Sequence, residues 1–181
     1  MRPKRCIPLL AAVLIHGVPA MAADKKVDDV AIGAAFIDTC VRPAPDDAAI
    51  RSGIASNPSW ISSDVPSDFG LRPKATTSRV EAWRQTIDGH EILLVLITDP
   101  DSKGLKHNCA FVFHDERPAM WYFRSVSDPL KGFGLKPNQQ DIPHWRFLKG
   151  KFANGQPGQV ELRSKSAALP GKDVLHLAVA Y

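Results

Sequence analysis

The sequence predicts an α+β fold, with one or two N-terminal helices packed on an antiparallel β-sheet meander in a single domain. Three observations predict it. Val27, Val30, Ala31, Ala34, Ile37 and Val41 recur at helical spacing and draw one apolar stripe. From Arg79 onward the pattern changes to short β-branched runs, of which Ile92-Leu-Leu-Val-Leu-Ile97 is apolar on both faces. Turn-forming clusters such as Asp88-Gly89, Asn154-Gly155 and Pro170-Gly171 divide those runs at intervals that suit a meander.

The first helix has Asp24, Asp28 and Asp29 near its start, where the positive end of the helix dipole favours carboxylates, and Pro43 and Pro45 at its end. A second helix is expected over Asp46–Ser56, with Ile50 and Ile54 one turn apart and Asn57-Pro58 as the stop. Ser59–Thr77 reads as a long loop pinned to the body by Trp60 and Phe69. Strands are expected over Arg79–Thr86, His90–Thr98 and His107–His114, the first two joined by Asp88-Gly89, whose type I′ turn needs two positive φ angles. Met120–Ser125, His144–Lys149, Gln159–Ser164 and Val174–Tyr181 are expected as further strands, with a short helix over Ser127–Phe133.

Residues 1–22 read as an export signal. Arg2, Lys4 and Arg5 are followed by an apolar run from Ile7 to Ile15 and then by Ala20-Met21-Ala22, a small-x-small cleavage pattern that places the cut near Ala22-Ala23. The apolar run is about half of the roughly 20 residues that a spanning helix needs, so no stable membrane anchor is expected in the mature chain. The expected location is the periplasm or the outside of the cell, and residues 23–181 form the single α+β domain. Cys6 leaves with the signal. Cys40 and Cys109 remain as a pair in a compartment where disulfides persist, and their bond would staple the first helix to the third strand. The formal charge of +4 is misleading for the same reason, since three uncompensated cations lie in the signal. Residues 23–100 carry a net −4 and residues 101–181 a net +5, a polarity that gives no ground for expecting nucleic acid as a partner.

Motifs with recognisable chemistry are few. His107 and His114 lie seven apart, on opposite faces of one strand, and no histidine pair has metal-ligand spacing, so isolated or hydrogen-bonded histidines and no metal are expected. Asp99-Pro-Asp-Ser-Lys-Gly104 opens like a calcium loop but has Lys103 where a ligand belongs and Ala110 in place of the bidentate Glu. His90-Glu91 lacks the second histidine of a zinc protease, and no nucleophile elbow or phosphate-cradling loop is present. No cofactor is expected. His114, Asp115 and Glu116 are the candidate acid–base residues if the chain hydrolyses anything, with Ser125 or Ser127 as nucleophile. Trp145, Arg146, Lys149 and Lys151 are the candidate binding residues, because aromatic stacking beside positive charge suits glycan strands, anionic head groups or a protein. The competing structural reading makes the same segment an edge or half-buried strand with lysines guarding its rim.

Phe36-Ile-Asp-Thr-Cys40 soon after the signal, the two-sided apolar strand and Asn108-Cys109-Ala110 together resemble small exported proteins of proteobacteria. The resemblance covers the first helix and the central strands, and it implies a compartment and a disulfide but no activity. The expected function is therefore a non-catalytic binding or accessory module for an envelope protein or polymer, and the alternative is a small envelope hydrolase.

Overall fold

The computed structural model describes residues 29–65, 78–101, 103–115, 119–137, 145–152, 154–166 and 173–181. The expected signal, and Phe69 in the long loop, lie outside them. Three helices, α1 (Asp29–Phe36), α2 (Asp47–Ala55) and α3 (Ala119–Gly132), accompany eight strands in one sheet. The strands are β1 (Ile61–Ser62), β2 (Arg79–Ile87), β3 (His90–Thr98), β4 (His107–Asp115), β5 (Leu135–Pro137), β6 (Trp145–Lys151), β7 (Pro157–Ser166) and β8 (Asp173–Ala180). Their spatial order is β1-β2-β3-β4-β8-β7-β6-β5, and every neighbouring pair is antiparallel.

That order corrects the single meander. Two meanders, β1 to β4 and β5 to β8, meet where β4 pairs with β8 from Asn108↔Ala180 to Asp115↔Asp173. The chain passes between them through α3, which packs on α1 and on β5 and β7. The strand expected over Met120–Ser125 and the helix expected over Ser127–Phe133 are one helix. Its buried residues Tyr122, Val126 and Leu130 recur every four positions, a helical stripe that overrides the β preference of the aromatic run Trp121-Tyr-Phe123. Pro129 sits in the final turn.

The second helix follows the sequence closely, but α1 buries a different face from the predicted stripe: Ala34 is exposed, Val27 lies outside the described residues, and Ile32 and Phe36 stand at zero exposure. Ile37 and Val41 of the stripe are buried where the chain continues through a π-helical turn, Ile37–Val41, closed by Arg42 N–H donating to the Ile37 carbonyl at 2.8 Å. Asp46 caps α2: its Oδ1 accepts from the N–H groups of Ala48 at 2.9 Å and Ala49 at 3.1 Å, relieving two of the unpaired donors at the helix start. Ile50 and Ile54 are buried beneath it, one turn apart.

Alternation along the strands sorts the core into two layers. Leu94, Leu96, Phe111, Phe113, Leu177 and Val179 face the helices, and Phe36 and Trp60 meet Phe111 edge-on at 5.6 and 5.5 Å. On the opposite face Leu93, Val95, Ala110 and Val112 are also buried, with Val65, Val80 and Ile97 packed against them. The centre of β3 and β4 is thus covered on both sides, as its uninterrupted apolar runs require. Each fully buried Leu, Val or Phe there contributes about 1.5–3 kcal/mol relative to exposure. The β2–β3 hairpin turns through Asp88 at φ 49° and Gly89 at φ 81°, the left-handed pair that Asp-Gly favours. Cys40 on the π-helical turn and Cys109 on β4 form a disulfide with Cα atoms 5.5 Å apart and both residues fully buried. Among the described residues no helix is long and apolar enough to cross a membrane.

Candidate functional site

Among the described residues, a dense polar assembly lies where α2 begins over the sheet. Asp47, in the first turn of α2, accepts three hydrogen bonds: from Tyr181 Oη at 2.7 Å, from Thr98 Oγ1 at 3.0 Å and, at 2.7 Å, from His107 Nδ1. Thr98 and His107 are register partners on β3 and β4, and the backbone of Tyr181 exchanges hydrogen bonds with His107. The three donors therefore form one row across the sheet, and α2 lays its carboxylate over the row. The His107 and Tyr181 rings are stacked, 5.3 Å between centroids and 6° from parallel. Arg51, one turn along α2, bridges to Glu81 on β2 at 2.7 Å, and Arg79 reaches the other Glu81 oxygen at 2.9 Å.

Burial alone would raise the Asp47 carboxyl, but hydrogen bonds from Tyr181, His107 and Thr98, with the positive charge of His107, outweigh it and hold Asp47 below the ordinary carboxylate range. Burial, followed by the bonded Asp47 carboxylate, pushes the Tyr181 hydroxyl far above its ordinary value. An Asp–His pair of this kind orients a general base when a nucleophile stands at the second ring nitrogen. Here His107 hydrogen-bonds through its side chain to Asp47 alone among the described residues, and Asp47 already accepts from three side chains. The assembly clamps α2 to β2, β3, β4 and the residue that follows β8.

A second feature lies at the β1 end of the sheet. A groove of about 430 Å³ is lined by Ser59, Ile61, Ser62, Arg84, Gln85, Thr86 and Glu91. Ile61, 69% exposed, is the one exposed large apolar side chain among the described residues. Register explains the opening. Ile61 pairs with Arg84, and Ser63 N–H donates to the Ala82 carbonyl, so the even-numbered residues of β2 direct their backbone groups outward. The next outward residue is Thr86, and Ser59 would have to face it. Ser59 N–H is instead bonded to Asn57 Oδ1 at 3.1 Å, and Trp60 N–H to the Asn57 carbonyl, as the chain turns to drive Trp60 into the core. Among the described residues the outward backbone groups of Thr86 are left without a strand partner. Beside them, Arg84 meets Glu91 through one terminal nitrogen at 3.4 Å, while its buried Nε has no hydrogen-bond partner among the described residues.

The candidate acid–base residues fall elsewhere. His114 lies on β4, half-buried, and alternation puts it with Val112 on the face away from the helices. Asp115 ends β4 opposite Asp173, and Glu116 lies outside the described residues. Ser125, on α3 at the other face, donates its hydroxyl to the Tyr122 carbonyl at 2.7 Å. The sheet therefore separates His114 from that candidate nucleophile. Trp145, Arg146 and Lys149 lie on β6, which pairs with β7 along its length and with β5 only over Leu148–Gly150; Lys151 is exposed. Among the described residues no group of three or more His, Cys, Asp or Glu is placed to hold a metal ion. Neither the Asp47 clamp nor the groove was legible beforehand: the clamp joins residues from four distant segments, and the groove depends on a two-residue strand inside a presumed loop. Comparison with protein-family models, curated proteins and solved structures finds no match for this chain.

Proposed function

We propose that the chain is an exported, disulfide-stapled module that binds an envelope protein or polymer and does no chemistry of its own. The observation that carries this reading is Ile61, an exposed apolar side chain beside an open groove on a sheet edge. Natural sheets usually cover or charge such an edge, and an apolar residue left on an open one suits a surface that a partner strand covers. The Asp47–His107 pair, a catalytic-looking group among the described residues, supports the same reading, since its hydrogen bonds go to holding α2 in place. Export is part of the proposal. The leading 22 residues have the pattern of a cleaved signal, and a buried disulfide suits an oxidising compartment such as the periplasm.

Capture from an envelope extract by the oxidised mature protein tests it. The wild-type chain is expected to retain one stoichiometric partner that an Ile61→Asp chain loses. A partner held equally by both chains, or turnover of an envelope substrate by the purified protein, would overturn it.

A further inference from the structure

Resting on that binding role, we infer that the groove takes an extended acidic peptide segment of a partner protein, which adds to the edge of β2 in line with β1. The backbone specifies the mode. Thr86 presents an outward N–H and C=O at the point where β1 leaves the sheet, the hydrogen-bonding pair that an added strand uses. The side chains specify the charge. Ile61 and Arg84 are opposite one another in register, and Thr86 and Glu91 share their face, because alternate residues of a strand project together. A peptide residue bonded to Thr86 would project onto that face, directly beyond Ile61 and diagonal to Arg84. Diagonal neighbours across an antiparallel pair lie about 7–8 Å apart, within reach of a long side chain. The Arg84 side chain is 43% exposed, and among the described residues its terminal nitrogens meet only Glu91, on an exposed side chain, through one of them at 3.4 Å. A carboxylate arriving from the peptide finds a guanidinium with donors to spare, and charge-assisted bonds of that kind are about twice as strong as neutral ones. A basic residue in the same place would stand diagonal to the like charge of Arg84.

The probe is a short blocked peptide of alternating valine and threonine with one central glutamate, compared with its lysine counterpart. Binding is read by fluorescence anisotropy and by the Thr86 amide signal in NMR. The glutamate peptide is expected to bind at least tenfold more tightly than the lysine peptide and to slow exchange of the Thr86 amide. Arg84→Glu should weaken it at least tenfold, and Arg84→Glu with Glu91→Arg should move the preference toward the lysine peptide. The exchange data on unliganded variants confirm that the β2–β3 hairpin is intact. Equal binding of both peptides, or binding that leaves the Thr86 amide unchanged, overturns the inference. If neither peptide binds while Ile61→Asp still abolishes capture, strand addition fails and the binding role stands. If Ile61→Asp leaves capture unchanged as well, both fail.

Discussion

Reducing the Cys40–Cys109 disulfide should remove about 4 kcal/mol of stability. The two residues are 69 apart in sequence, and a cross-link closing a loop of that size lowers the entropy of the unfolded chain by an amount worth about 4 kcal/mol at room temperature. Set against a typical net stability of roughly 5–15 kcal/mol, that is about a quarter or more of what holds a domain folded. Geometry explains why the bond sits where it does: it joins the π-helical turn after α1 to β4, at the centre of the sheet, and both residues are fully buried. Urea unfolding followed by tryptophan fluorescence, with and without reductant, provides the assay. At an m-value of roughly 2 kcal/mol per molar urea, the midpoint should fall by about 2 M on reduction. Coincident midpoints, with thiol titration showing complete reduction in one sample and none in the other, would refute the reasoning.

The Asp47 clamp predicts a stability change and a pH dependence. Asp47→Asn weakens three hydrogen bonds to a charged acceptor and should cost about 2–3 kcal/mol in chemical denaturation, with far-UV circular dichroism otherwise native. Because the folded state holds Asp47 below the ordinary carboxylate range, its contribution is present above the unfolded value near 4 and is lost as pH falls through the lower folded value; the Asn variant should show a shallower acid loss. Tyr181 is shifted upward, so its contribution is complete below about pH 10 and declines as pH rises beyond, and Tyr181→Phe should flatten that alkaline decline. Gly158 has no room for a side chain, since a Cβ there would run into the ring of Phe152. Gly158→Ala should therefore cost about 1–3 kcal/mol by overpacking, and Phe152→Leu in the same chain should recover part of it.

What the sequence made legible was local. Asp88-Gly89 specified its own turn because few residue pairs accept two positive φ angles, and Ile92–Ile97 announced a doubly covered strand by having no polar alternation. Cys40 and Cys109 needed no geometry, being the only two cysteines left once the leading segment is set aside. Long-range pairing was not legible. Nothing in the sequence of β8 selects β4 as its neighbour over β7 alone, so the second meander and its junction appear only in the fold. The α3 region failed for a competing reason: Trp121-Tyr-Phe123 prefers a strand locally, and the stripe Tyr122, Val126, Leu130 wins once α1 supplies a surface to pack on. Asp47 could be read as a helix-start acid, but its three donors come from β3, β4 and the residue after β8. Likewise, Thr86 looks like an ordinary strand residue until Ser59 is seen to turn away from it.

The central claim, that a partner protein covers the open edge beside Ile61, is tested most directly by site-specific photocrosslinking in intact cells. A photoreactive residue at position 61 reports on the groove, and one at exposed position 128 on α3, which packs near the opposite end of the sheet, serves as the control. The account predicts a single discrete adduct from position 61 and none of that mass from position 128. The same adduct from both positions, or none from position 61 when the protein is shown to be exported and oxidised, would contradict it.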